Sequence, residues 1–338
     1  MAATDTGLVV YTGTALARAT AWATLPEDEQ RRRATGAAHR HDAALLWDLT
    51  EARLTLNSNT NASRGLKNEK LDNGASGDSG GLSPRTLATY RSAIVRLVTQ
   101  DGGEWNLLKP QRNAADLWIR TMETHGLKPA TVRTYLAAAR ALYAALRWAG
   151  ATTVDPFTDS KPGRDPVARE EKRQPYTDDQ AVQLLRVAFT YHERLLVLLC
   201  GHAGLRASEA VALKWSDIDL ASGRLVVASG KGRKKRTVPL SGTLRHELAL
   251  EHDHPYGDWV LPYRDRRSAW YHVKEMAARA EIPSLGVHAL RHTAGTRMMR
   301  QTGSLEITAR LLGHSQIETT RIYAKFADDT LDEAVSGW

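Results

Sequence analysis

The segment spanning residues 155–175, DPFTDSKPGRDPVAREEKRQP, constrains this chain most. It holds four prolines among many charges. Proline fixes φ and removes a backbone donor, so neither a helix interior nor a sheet ladder can run through it. The chain must fold as two units on either side of an extended interdomain linker. A length of 338 residues fits that division. A second break covers residues 57–81, NSNTNASRGLKNEKLDNGASGDSGG, where large apolar side chains nearly vanish. It reads as a flexible insertion.

These breaks partition the sequence. Residues 1–56 form an N-terminal extension with a helix whose Leu45, Leu46, Leu49 and Leu54 make an apolar face. Residues 82–154 form a small helical domain. Ser83 and Pro84 open its first helix, a second runs from Gln111 to His125, and a third from Pro129 to Ala149. Residues 176–338 form the second domain with a C-terminal tail. Thr177 and Gln180 have capping-box spacing there, and YHERLLVLLCGHAG reads as a buried helix ended by glycine. The segment Ile218 to Leu240 changes character. LVVA and RTVPL are strand-like and flank a Gly-, Lys- and Arg-rich turn, so a β-hairpin is expected within a mainly α chain.

Composition narrows the class. An apolar fraction of 42% supports real cores and excludes a mainly disordered chain. One cysteine excludes a disulfide scaffold and a Cys-based zinc site, and fits a reducing cytoplasm. The apolar run Leu195 to Gly201 is seven residues, far short of a membrane span. The start, MAATDTGLVV, has no basic n-region, so no secretory signal is expected. The net charge of +8 hints at a polyanionic partner. The H-x-H pairs His39/His41 and His252/His254 read as surface residues, and no metal site is expected.

Five pieces of the second domain could carry chemistry. They are Arg206 with Glu209 in GLRASE, Lys231 in GKGRKKR, His288 and Arg291 in HALR, His314 in LLGH, and Tyr323 in TTRIY. Singly, each has an ordinary reading: a surface ion pair, a solvated turn, one helix face, a helix stop, a core tyrosine. Together, their order and spacing resemble the catalytic domain of the tyrosine recombinase (phage integrase) family, and specifically Xer-like site-specific recombinases. GLRASE, GKG on a hairpin ending in RTVPL, HALRHT and LLGHSQIETTRIY carry the resemblance. LSPRTLATYRSAI and LKPATVRTYLAAARALYAALRWAG are similar to the family's helical core-binding domain, so the likeness runs from about residue 82 to 326.

The resemblance implies a two-domain DNA clamp: a helical core-binding domain and a mixed α/β catalytic domain with a small antiparallel sheet. It implies cleavage and rejoining of DNA through a 3′-phosphotyrosyl intermediate, with strand exchange between two duplex sites and no ATP, metal or other cofactor. Tyr323 is then the nucleophile. Arg206 and Arg291 neutralise phosphate oxygens as two-donor forks. His288 accepts or orients the phenol proton, His314 donates to a phosphate oxygen, and Lys231 protonates the leaving 5′ oxygen. Glu209, one turn from Arg206, holds that guanidinium or reaches a catalytic histidine. Arg85, Arg91, Arg133 and Arg140 of the helical domain, with Arg233, Lys234 and Lys235 of the hairpin, are the candidate DNA contacts. The alternatives are a type IB topoisomerase-like relaxing enzyme and a catalytically silent sequence-specific DNA-binding protein.

The implied partner is double-stranded DNA, bound by a homo-oligomer, a tetrameric synaptic complex, or by a pair with a related recombinase. Accessory proteins are possible partners, a membrane is not one, and the expected location is cytoplasmic and nucleoid-associated. The tail after Tyr323, with Leu331, Val335 and Trp338, is expected to dock on a neighbouring subunit, the alternatives being docking on its own domain or fraying. The charge has a matching distribution. Residues 1–80 hold nine basic and ten acidic residues, residues 81–174 fifteen and nine, and residues 175–338 22 and 19. The excess falls in the expected clamp.

Overall fold

The structure, a computed structural model, describes residues 14–57, 82–101, 105–165, 174–228, 235–251, 257–263, 265–314 and 317–324. Most of the insertion, the tip with Lys231, Arg233 and Lys234, the pair His252/His254 and the tail after Ala324 lie outside these residues. The chain divides into two compact units, Met1–Pro166 and Val167–Trp338. The fold is mostly helical, with one three-stranded antiparallel sheet. No helix among the described residues is long and apolar enough to cross a membrane.

The first unit is helical. One helix is expected before residue 57; the described residues 14–57 form three, α1 (Ala15–Ala23), α2 (Glu27–His39) and α3 (Ala43–Asn57). They share one core with α4 (Pro84–Arg96), α5 (Ala114–Thr124) and α6 (Pro129–Trp148). Trp22 of α1 is buried, and its indole N–H donates to Asp48 on α3 at 2.8 Å. Arg18 reaches Asp48 and Glu51 beside it. Sequence signals set the later helix starts. Ser83 accepts from the Thr86 amide at 3.2 Å, and Pro84 and Pro129 occupy first-turn positions where an amide hydrogen has no helical partner. His41 is half-buried rather than a surface residue, because its ring pairs with the Trp105 carbonyl at 2.8 Å.

The linker expectation needs a second adjustment. Its first part, residues 155–163, is docked on the helical unit. Phe157 is fully buried, edge-on to Trp118 and Tyr143 with ring centroids 5.5 Å apart in both pairs. Ser160 donates to Asp116 at 2.8 Å and the Gly163 amide to Glu123 at 2.6 Å. Arg140 bonds the carbonyls of Phe157, Thr158 and Ser160 at 2.9, 3.3 and 2.9 Å. The guanidinium thus ties down the start of the linker from an exposed position on the helix.

The second unit builds a helical core around α8 (Tyr191–Gly201), preceded by α7 (Asp178–Arg186). Thr177 and Gln180 form the expected capping box. Residues Leu195 through Gly201 of α8 are all buried, as their unbroken apolar run requires. A one-turn helix, α9 (Ala207–Ala210), follows, then β1 (Ile218–Asp219), β2 (Arg224–Ala228) and β3 (Lys235–Pro239) in that spatial order. Leu225 pairs with Val238 and Val227 with Arg236, so period-two alternation buries Leu225, Val227 and Val238. Then come α10 (Gly242–Glu251), α11 (Arg266–Arg279), α12 (Val287–Thr302) and α13 (Leu305–Leu312).

Replacing Phe157 by alanine removes the aromatic wedge under the linker and leaves a cavity. The first unit should lose about 3–5 kcal/mol. Urea unfolding of the full chain should show its transition at lower denaturant, with that of the second unit unmoved.

Candidate active site

The site is assembled around one carboxylate. Arg206 is the N-cap of α9, and Glu209 sits three residues on. Glu209 accepts from the Arg206 amide and from Arg206 Nη1, both at 2.8 Å. From β3, Arg236 Nη1 and Nη2 reach the two oxygens of the same carboxylate at 2.9 and 2.8 Å. From α12, Arg291 Nη1 stands 3.6 Å away. Burial alone would raise the Glu209 pKa. The bonds from Arg236 and Arg206 and the Arg236 charge outweigh it and hold the carboxyl down at about 2.

Arg291 is 2% exposed, an extreme for a side chain that is always charged near neutrality. Its two terminal nitrogens donate to the Gly204 and Leu312 carbonyls, each at 2.5 Å. Each NH₂ group has a second hydrogen, so the fork keeps donors for a ligand. Burial, with Arg206 and Arg236 nearby, lowers its pKa to about 10, and it stays cationic at pH 7.

Arg206, His288, Arg291, His314 and Tyr323 line one cleft of about 250 Å³, with His292, Gly313, Thr319 and Ile322. The sequence therefore names five residues that the fold brings together from four separate segments. Glu209 lies beneath them and takes the first of its two expected roles, holding the guanidinium of Arg206. His314 follows α13, which Gly313 ends in the left-handed region at φ 64°. Its Nδ1 pairs with Thr320 Oγ1 at 2.9 Å. Burial, then the charges of Arg291, Arg206 and Arg236, push its pKa down to about 4, so it is neutral at pH 7.

Tyr323 ends a 3-10 turn, Arg321–Tyr323, and is 2% exposed. His288, expected to accept or orient the phenol proton, lines the same cleft. His292 Nδ1 stands 2.6 Å from the Tyr323 hydroxyl. His288 stands edge-on to His292, with ring centroids 4.7 Å apart. One turn of α12 separates the two histidines, and the second reaches the tyrosine because its side chain points inward. Sequence reasoning also missed Arg236. Both signals were present: HALRH places a histidine at i+4, and the strand RTVPL begins with Arg236. Gly295 is a third. A Cβ there would lie 2.6 Å from Tyr323 Cζ, so only glycine leaves the ring its place.

The candidate DNA contacts among the described residues, Lys235, Arg85, Arg91, Arg133 and Arg140, are all exposed, and Arg140 also bonds the linker carbonyls.

A phenol set among fixed guanidiniums and imidazoles is a donor set suited to phosphoryl transfer. Comparisons with known proteins agree. Residues 175–329 match the Phage integrase family. Tyrosine recombinase XerC of Xanthomonas campestris pv. campestris (strain B100) is 31% identical over 257 residues, covering 72% of this chain and 79% of the relative. Tyrosine recombinase XerA of Thermococcus kodakarensis is 30% identical over 266 residues, covering 75% and 89%. The fold is similar to XerH site-specific recombinase bound to palindromic difH substrate, with TM-score 0.64 at 18% identity over 87% of this chain and 96% of that one. A lambda integrase dimer bound to a COC′ core site gives TM-score 0.61 at 18% identity over 73% of each chain. The chain belongs to the tyrosine recombinase (phage integrase) family, enzymes of DNA strand cleavage and transesterification.

Three outcomes are expected. Glu209→Gln leaves three guanidiniums around a neutral amide and should destabilise the second unit by about 3–5 kcal/mol, read by urea unfolding. Gly295→Ala should cost about 1–3 kcal/mol through overpacking against the Tyr323 ring, read the same way. The third concerns pH. The folded pKa of His314 lies below its unfolded value, so the unfolded chain binds more protons between about pH 6.5 and 4. Stability is then complete above that window and falls as pH drops through it. His202, also held at about 4 chiefly by burial, contributes with the same sign. His314→Asn should flatten part of this slope in unfolding midpoints measured across the window.

Proposed function

We propose that this site-specific DNA recombinase cleaves duplex DNA with Tyr323 and holds the strand as a 3′-phosphotyrosyl ester. The observation that carries the reading is that Arg206, Arg291, His288, His314 and Tyr323 share one cleft. A phosphodiester repels an approaching nucleophile. Arg206 and Arg291 offset that charge at the non-bridging oxygens, and more strongly as it grows in the pentacoordinate state. Arg291 is suited to this because two backbone carbonyls and Glu209 fix its plane before substrate arrives. His314, neutral at pH 7, offers its remaining ring nitrogen as a hydrogen-bond donor. Lys231 of the GKGRKKR hairpin protonates the 5′ oxygen as it leaves. The ester conserves the phosphodiester bond energy, so a 5′ hydroxyl from a second duplex can reverse the step without ATP.

The partner is double-stranded DNA, contacted by Arg85, Arg91 and Arg133 of the first unit and by Arg233, Lys234 and Lys235 of the hairpin. Exposure of Arg85, Arg91, Arg133 and Lys235 supports this. Xer and lambda relatives have been captured on DNA, the latter as a dimer. A tetrameric assembly of this chain on two sites, alone or with a related recombinase and accessory proteins, follows the same logic. Its place is with the chromosome in the cytoplasm.

Wild type on a nicked suicide substrate carrying its site should yield a denaturation-resistant protein–DNA adduct, and Tyr323→Phe none. Absence of the adduct from wild type would sink the reading, and an adduct from the Phe variant would move the nucleophile elsewhere. Arg206→Lys should slow adduct formation by about 10²–10³ fold, since lysine supplies charge without the fork. Removing Arg85 or Arg133 should weaken binding across all sequences and reduce the salt slope by about one for each phosphate no longer neutralised.

A further inference from the structure

Tyr323 has its hydroxyl on one residue and its ring over another, both on α12. His292 Nδ1 stands 2.6 Å from Tyr323 Oη, and both side chains are buried. For the phenol O–H to donate in this pairing, Nδ1 must be the acceptor and the ring's own proton must sit on Nε2. Three residues on, Gly295 clears space for the ring. Its imagined Cβ would meet Tyr323 Cζ at 2.6 Å and Cε1 at 2.8 Å. Helix α12 thus holds the nucleophile in register with one imidazole nitrogen. Among the described residues, Arg206, Arg291, His288 and His314 face the same cleft.

We propose that His292, rather than His288, is the catalytic proton acceptor for Tyr323; the inference rests on the phosphotyrosyl reading above. In the forward step the Oη–H bond breaks toward Nδ1, and its electron pair forms the Oη–P bond. The P–O5′ bond breaks, and its pair stays on O5′, which takes a proton from Lys231. On rejoining, the incoming 5′ hydroxyl returns a proton to Lys231, and the imidazolium of His292 returns one to Oη. Protons balance over the cycle. An imidazolium beside two guanidiniums is unfavourable by itself. It forms together with the negative phosphorane, so proton transfer and bond formation are coupled. His288, stacked edge-on against His292, then serves to orient the accepting ring.

Single-turnover cleavage of the suicide substrate tests this across the neutral pH range, with wild type, His292→Gln, His292→Ala and His288→Gln run in parallel. Glutamine keeps a hydrogen-bonding group but takes up no proton. His292→Gln should slow cleavage by about 10² fold or more and abolish the acid limb of the pH–rate profile. Added imidazole should restore part of the rate of His292→Ala, which a purely structural residue would not allow. His288→Gln should keep the acid limb. The proposal falls if His292→Gln cleaves within about threefold of wild type with the limb intact. It falls equally if that variant cleaves faster, because His292 would then be a latch that withholds the tyrosine. A wild type that makes no adduct strikes the phosphotyrosyl reading instead. The imidazole ¹⁵N resonances of the free enzyme still decide the inference in that case. Nδ1 of His292 should resonate as an unprotonated acceptor and shift in Tyr323→Phe. A protonated Nδ1, or no shift, overturns it.

Discussion

The carboxylate of Glu209 is the constraint on which the catalytic unit depends. Three guanidiniums from α9, β3 and α12 converge on it, and its side chain is only 6% exposed. Three cations this close would repel one another and force the segments apart. One buried carboxylate, kept ionised by the same cations, turns that repulsion into a joint. Because the charges are desolvated, removing one partner leaves the others uncompensated. The cluster is therefore both a stabilising junction and a geometric reference for Arg206 and Arg291.

Arg236 extends that reference into the rest of the unit. Its Nε donates to the Leu311 carbonyl at 3.2 Å, and its side chain fills the space over Gly313, where a Cβ would meet Arg236 Cδ at 2.7 Å. One side chain of β3 thus touches the carboxylate and the end of the helix that delivers His314. The same strand begins four residues after Lys231 in the sequence. Displacing β3 would disturb the Glu209 cluster and the His314 turn together. Arg291 makes the complementary tie, from α12 to the Leu312 carbonyl. The ends of α12 and α13 and the edge of the sheet are held by guanidinium bonds, and a hydrophobic core alone would not fix donors to fractions of an ångström.

Legibility in the sequence followed the range of the interaction. Thr177 with Gln180, Ser83 with Pro84, and the apolar run of α8 act over a few residues, so pattern alone located them. The cleft residues were legible as a set because their types and order match a family, although singly each looked ordinary. What escaped depends on distant partners. Arg140 resembles any exposed helical arginine until the carbonyls seventeen to twenty residues later are seen to receive it. Phe157 sits between prolines in a linker-like string, yet it is core. Helix α2 carries few large apolar residues, and its inward positions are Ala34, Ala37, Ala38 and Gln30. Close packing of small side chains leaves almost no hydrophobic stripe to read.

The same distinction bears on charge as evidence. A net +8 says only that cations outnumber anions. In the folded chain many of those cations are already answered. Arg18, Arg147, Arg194, Arg236 and Arg279 are in ion pairs, and Arg140 is bound to backbone oxygens. In the proposed function a polyanion meets the remainder: exposed side chains such as Arg85, Arg91 and Arg133, and the donors that Arg206 and Arg291 keep in the cleft. The two groups differ in kind. Exposed arginines give long-range, salt-sensitive attraction that any duplex would share. The cleft arginines are held in place by Glu209 and by backbone carbonyls, and in the proposed function they serve a single phosphate. Affinity for DNA and rate of cleavage should therefore respond to different substitutions, because ionic strength screens the first group and hardly reaches the second.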